Sequence, residues 1–501
     1  MKRVIRPLAV LALAALVCSV YLVAARSAGP KPAQQQANPG PQTGPQANQP
    51  APPAAAPAKV AAPVPFKSKD SKIKGWKIVI PGGRPLATPA VVDGKVFVGG
   101  GFGSHEFYAF DAATGKKVWQ YQTQDDGPTA AVVADGHIAF NTESCEIEIL
   151  TLGGKPVWKK WLGDPLMSMP AIAGGKVYMA YPDSKGDHKY HLACFGLKTG
   201  KEQWKKPIAG EIITAPVVDD GQVYLATLDG TLYCFKETSG ALVWQEKKNA
   251  TSSPVVWNKQ CYFSRRDETT VAHKGKKVKQ QTEQVASRGL KHSGKTKDLV
   301  ATARRADYLD YSKRTHSAKE AANQKDDASV GFAGVASGGK GSFQTAPAMS
   351  NIAQSSVSGV WSYQGSKPFV YKDRLYSAMG DTLQCVDPKT EKVLWKKAIE
   401  DAKNKKKAEL LDSVVTPPAL VNDKLFLGTT YGEVICISAK TGKKLWTANV
   451  GEPIVFQPAV ASGRVYVSTN SGSLYCLETG DSRDTGWSMW GANAGHNGLA
   501  K

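Results

Sequence analysis

Acidic side chains recur at one address in this 501-residue chain. Asp126, Asp164, Glu211, Asp412 and Glu452 each stand five or six residues ahead of a proline or alanine (Ala131, Pro170, Pro216, Pro418 and Pro458), and Arg84 holds the same place ahead of Pro89. Carboxylates gathered at one mouth could attract a cation or a basic peptide. Asp and Glu are also ordinary turn formers. The remaining reactive side chains are spaced for structure. Cys194, Cys234, Cys385, Cys436 and Cys476 occur singly at equivalent places, too scattered for the narrow Cα separation of a disulfide. His188 and His191 make an HxxH in "DSKGDHKYHLACF", too short a pattern for a metal site. No phosphate-binding glycine loop and no nucleophile elbow occurs. On these grounds no catalytic, cofactor-binding or metal residue is assigned.

The elements that position these residues are read from a repeat. Aligning the chain on "TPAVVDGKVFVGG" recovers "AAVVADGHIAF", "MPAIAGGKVYM", "APVVDDGQVYL", "SPVVWNKQCYF", "KPFVYKDRLYS", "PPALVNDKLFL" and "QPAVASGRVYV", eight units in all. Short strands at a period near forty residues, punctuated by glycine turns, mean an all-β eight-bladed propeller of four-stranded blades, strands a to d. In "AFDAATGKKVW", Asp111 and Thr114 can bond local backbone in the c–d turn, Gly115 can take a positive φ, and Trp119 offers a flat ring at the blade's edge. The cysteines, and Ala109 in the first unit, are then small groups packed under a ring. Structural docking tryptophans are Trp76, Trp119, Trp158, Trp204, Trp244, Trp361, Trp395 and Trp446. Trp76 precedes the first unit, so strand d of the last blade is expected from the N-terminal side, closing the ring and removing exposed sheet edges.

The rest of the chain divides by composition. Lys2, Arg3 and Arg6 precede an apolar run from Leu8 to Ala25, so 1–26 reads as a signal peptide cut near Val23-Ala24-Ala25 or as an uncleaved anchor. Residues 27–70 are a Pro/Ala/Gln-rich linker, a tether. Blades one to five with the closing strand span 71–282. In the fifth unit Lys279 stands where the tryptophan is expected, a basic insertion fills 283–355, and Trp361 resumes the pattern in 356–501. That insertion reads as low-complexity or helical, with Lys and Arg in excess between Lys274 and Lys325, and is a solvated loop or a basic surface for an anionic partner.

The pattern A-x-D-x-x-T-G-x-x-x-W resembles the tryptophan-docking motif of pyrroloquinoline-quinone (PQQ) enzymes. From Trp76 to about Gly480 the chain is similar to the PQQ-like repeat β-propeller superfamily, and the tail "GWSMWGANAGHNG" resembles a tryptophan-glycine segment at the edges of such propellers. That group holds quinoprotein alcohol dehydrogenases and inert members such as the propeller lipoprotein of the outer-membrane barrel-assembly machinery. The dehydrogenases hold Ca²⁺ through a carboxylate and an amide, use an aspartate base and cover the quinone with a disulfide between adjacent cysteines. This chain has no adjacent cysteine pair and no CxxCH haem site. The resemblance therefore implies a non-enzymatic, exported binding scaffold, periplasmic or otherwise extracytoplasmic, without cofactor. Its expected partner is an envelope protein rather than nucleic acid, the membrane being met through the N-terminal segment, and it is expected to be a monomer. The alternative is a PQQ-dependent oxidoreductase with calcium, and the third reading is a polyanion or polysaccharide binder.

Overall fold

The computed structural model describes residues 59–499 apart from 102, 144, 164–167, 184–188, 274–275, 306–367, 380–381 and 400–414. The expected signal or anchor, Trp361 and most of the expected insertion lie outside the described residues.

Among the described residues, thirty-three strands form eight sheets. β1 (Val64–Lys67) and β2 (Lys74–Val79) come first. Blade one is β3 to β6: Ala90–Val92, Lys95–Gly99, Glu106–Asp111 and Lys117–Gln122. Blade two is β7 to β10: Val132–Ala134, His137–Asn141, Glu146–Thr151 and Pro156–Trp161. Blade three is β11 to β14: Ala171–Ala173, Lys176–Pro182, Tyr190–Gly196 and Glu202–Pro207. Blade four is β15 to β18: Val217–Asp219, Gln222–Ala226, Thr231–Lys236 and Leu242–Lys247. Blade five is β19 to β22: Val255–Trp257, Gln260–His273, Lys276–Gly289 and Thr296–Arg305. Blade six is β23 to β26: Phe369–Tyr371, Arg374–Met379, Thr382–Val386 and Val393–Ala398. Blade seven is β27 to β30: Ala419–Val421, Lys424–Gly428, Glu433–Ser438 and Lys444–Asn449. Blade eight joins β31 to β33 (Ala459–Ala461, Arg464–Ser468 and Ser473–Glu478) to β2 and β1.

The ring closes as the repeat predicts. β2 pairs antiparallel with β33, placing Trp76 opposite Cys476. A further strand, β1, lies outside β2 and makes this the only five-stranded sheet among the described residues. It falls inside the segment read as linker. With Pro65 in a four-residue strand, its composition hid it.

Each a–b turn is fixed by local chemistry. Asp93-Gly94 has φ of 49° and 69°, and Lys372-Asp373 has 46° and 58°. Positive φ at both central residues is the type I′ hairpin, whose twist matches the strands it joins.

Across each blade one row of side chains builds the clamp. In blade four Val217, Tyr224, Cys234 and Trp244 are paired in register across the four strands. The small thiol lets the tyrosine and indole rings approach to 6.2 Å over it. The indole then reaches the next blade. Trp76 donates its N–H to the Ala112 carbonyl at 3.3 Å, Trp119 to Leu152 at 3.1 Å, Trp204 to Glu237 at 3.0 Å and Trp395 to Ala439 at 2.9 Å. Its seat is that blade's turn glycine. A Cβ on Gly115, at φ +71°, would lie 2.9 Å from the Trp76 ring. Beneath Trp76, Trp119, Trp158, Trp204 and Trp395 the small group is thus the neighbour's glycine, whereas Trp244 stacks on Arg288, and the cysteine is the cross-strand partner. The described cysteines are buried thiols outside any disulfide, and burial pushes the Cys436 thiol up to about 12, far from a reactive thiolate.

Blade five differs from its sequence reading. Its register pairs Val255 with Tyr262, Tyr262 with Ser287 and Ser287 with Lys297, so Lys297, not Lys279, holds the tryptophan's place. Lys279 lies farther out, opposite Thr270. The boundary drawn at 283 falls inside β21, and β22 already completes the blade without Trp361. The unbroken β20–β21 ladder satisfies its backbone whatever the side chains are, so the missing tryptophan did not mark a missing strand.

Candidate functional site

The d–a and b–c connections share one face of the disc. At the seam of blades one and two, the Gly127 N–H donates to the Ser104 carbonyl and the Glu143 N–H to the Asp126 carbonyl, both at 2.8 Å. Glu143 Oε1 in turn accepts the Gly103 N–H at 2.6 Å. Gly127, at φ +61°, is required here, because a Cβ would come within 2.0 Å of that same oxygen. The result is a mouth of Asp125, Asp126 and Glu143, within electrostatic reach of Arg84.

Burial, and next the Asp126 charge, push the Glu143 carboxyl up to about 7, against the bond from Gly103. Asp126 is raised too, first by burial and then by Asp125, with His105 and Arg84 opposing. Crowded, poorly solvated carboxylates of this kind hold a proton near neutrality and favour an added positive charge. Among the described residues no group of three or more His, Cys, Asp or Glu is arranged to hold a metal ion.

Of the residues singled out from sequence, the structure brings together Arg84 and Asp126. Glu211 is buried between blades three and four, where its charge adds to the burial that raises the Tyr190 hydroxyl. Glu452 is closed into a network, accepting from Lys77 at 2.6 Å, Thr469 at 2.7 Å, Tyr475 at 2.9 Å and Ser473 at 3.0 Å. Burial opposes its charge, but those bonds overcome it and hold the carboxyl below its usual range. Asp164 and Asp412 lie outside the described residues. His191 is buried, its Nδ1 2.9 Å from the Lys189 carbonyl, and His188 is not described. Asp125 and Glu143 were missed. The repeated acidic address lies ahead of strand a, whereas Glu143 sits after strand b in "NTESCE", on the same face.

The axis of the disc is filled by the tail. Strand a of each blade leaves an inner edge, and the tail pairs with several of them. The N–H groups of Val91, Ile172 and Val218 donate to Ser488, Ala494 and Gly495 carbonyls at 2.7, 2.9 and 2.8 Å. Asn497 bonds both the N–H and the carbonyl of Val256, at 2.7 and 2.8 Å. Val460 and Trp487 exchange bonds of 2.6 and 3.1 Å. Trp490, 2% exposed, sits among Ala87, Ala130, Met169 and Ala215 from blades one to four. The ring nitrogens of His496 lie 2.9 Å from the Trp490 carbonyl and 2.8 Å from that of Pro170. The tail thus belongs to the centre of the propeller and not to its edge. Trp490 thus fills the space at the inner edges of blades one to four, where a planar group would have to displace it.

Comparison with known proteins follows the same lines. Residues 69–151, 146–307 and 379–496 match the family described as outer membrane protein assembly factor BamB. The structure of BamB from Moraxella catarrhalis superposes with a TM-score of 0.51 at 14% identity, covering 84% of this chain and 98% of that one. Quinohemoprotein alcohol dehydrogenase ADHIIG from Pseudomonas putida HK5 gives 0.50 at 14% identity, covering 81% of this chain and 75% of the enzyme. At such identities both establish the fold alone. Quinohemoprotein alcohol dehydrogenase ADH IIB of Pseudomonas putida is 33% identical over 87 residues, which is 17% of this chain and 13% of that enzyme.

Proposed function

The chain belongs to the family described as outer membrane protein assembly factor BamB, and from that membership we propose that it is a non-enzymatic scaffold of the cell envelope. It holds another envelope protein on the face formed by the d–a and b–c connections. The observation that carries this reading is the occupied axis. With Trp490 buried at the centre, the surfaces left for a partner are the loop faces and the rim. On the loop face the Asp125–Asp126–Glu143 mouth gathers three carboxylates, suited to a lysine or arginine of the partner. The N-terminal run and the Pro/Ala/Gln segment fit this role as an export signal or anchor and a tether.

The test uses the full chain, immobilised against envelope extract, beside a variant carrying D125N, D126N and E143Q. The expected result is equal thermal unfolding and the loss of a protein retained by the unaltered chain. Retention of the same protein by both excludes the mouth as the contact. A parallel titration with PQQ and Ca²⁺ that yields a bound chromophore would replace the scaffold with an oxidoreductase.

A further inference from the structure

Two departures from the repeat meet at one seam. At the register position that carries a docking indole in β2, β6, β10, β14, β18, β26 and β30, β22 carries Lys297. In the blade that Lys297 faces, the turn glycine is also absent. The turn of "DPKTEKVLW" repeats the main bonds of that of "DAATGKKVW", although Pro388 lacks the N–H that Ala112 donates to Gly94. Asp387 Oδ1 accepts from the Lys389 and Thr390 N–H groups at 2.8 and 3.1 Å, as Asp111 Oδ1 accepts from Ala113 and Thr114 at 3.1 and 2.8 Å. The residue in the glycine slot is Glu391, at φ +61° against +71° for Gly115. A glutamate is uncommon at such a φ. It is there, opposite the one blade whose register position holds lysine, and the two side chains form an ion pair.

The substitution changes the physics of the contact. An indole seated on a glycine is held by burial and packing, which salt leaves nearly untouched. The Lys297 and Glu391 side chains are 63% and 36% exposed, so their attraction acts through water and is screened. Inward of the pair the seam is apolar, with Tyr262, Val285 and Leu299 of blade five beside Val370, Leu375 and Val386 of blade six.

We propose that the rim of the seam between blades five and six is an electrostatic latch, the place where the ring opens first, with ionic strength setting how often it opens. Hydrogen exchange of the full chain, followed by mass spectrometry at about 0.05 M and about 1 M salt, tests it. Amides of β22 and of the 387–392 turn should exchange about tenfold faster than those of β6 and the Asp111–Gly115 turn. Their rate should rise severalfold with salt while the seams whose indole is seated on a glycine stay unchanged. K297E and E391K should each raise exchange at this seam, and the double variant, which restores opposite charges, should return it toward the original rate. Equal protection at all seams, salt-independent exchange here, or a double variant no better protected than the single ones would each overturn the proposal. Should a single variant fail to fold, the salt response of the unaltered chain decides.

Discussion

Replacing Trp76 by alanine perturbs the closure of the ring at its one non-sequential seam. The indole is 6% exposed, and a buried tryptophan removes about 150–250 Å² from water. At about 25 cal/mol/Å² that is about 4–6 kcal/mol, in line with the roughly 3–5 kcal/mol seen for aromatic-to-alanine changes in cores. Loss of the N–H bond to Ala112 lies within the same range, since such bonds contribute about 1 kcal/mol net. Gly115→Ala attacks the contact from the other side. Its methyl group would meet the indole at 2.9 Å and its φ of +71° is unfavourable for alanine, together costing about 2 kcal/mol. Once Trp76 is gone, the backbone cost of about 1 kcal/mol and the looser contact with Pro63 at 3.1 Å remain. The double variant should therefore be more stable than the sum of the two changes predicts, by about 1 kcal/mol. Urea unfolding of the four proteins measures all terms, provided the slope with denaturant is unchanged. Strict additivity would refute the direct seating of the indole on this glycine. A loss below about 1 kcal/mol for Trp76→Ala would refute the clamp itself.

Trp490→Ala should lower the stability of the whole ring by about 3–5 kcal/mol, read from urea unfolding, because the indole is shared by four blades. The Glu143 carboxyl sits near 7 in the fold against an ordinary 4.5, so the folded chain binds more protons than the unfolded chain between those values. Stability should fall as pH rises through that window, and E143Q should flatten this slope in unfolding curves taken from pH 5 to pH 8. Glu452 is shifted the other way. Its contribution is present above the ordinary carboxylate range and should disappear on acidification below it, a loss that E452Q should abolish. Excising 308–362 with a short bridge should leave unfolding cooperative, whereas excising 283–355 should not, since it removes half of β21 and all of β22.

Much of the fold was legible because its causes are local. Hairpin dipeptides such as Asp93-Gly94 need positive φ, strand alternation follows the pleat, and the Asp111-to-Trp119 turn bonds mainly to itself. The same pattern recurring eight times determined the blade number and the closing role of Trp76. Blade five resisted this reading because a backbone ladder needs no particular side chain, so Lys297 could replace a tryptophan without ending the sheet. Other facts depend on residues distant in sequence. The pairing of Lys297 with Glu391, the meeting of Arg84, Asp126 and Glu143 at one mouth and the separation of Glu452 into its own network follow from how neighbouring blades stack. So does the place of the tail. Nothing in "GWSMWGANAGHNG" states that its partners are the inner edges of strands hundreds of residues earlier. Those edges converge on one axis only when the ring is closed, and only then does Trp490 have a cavity to fill.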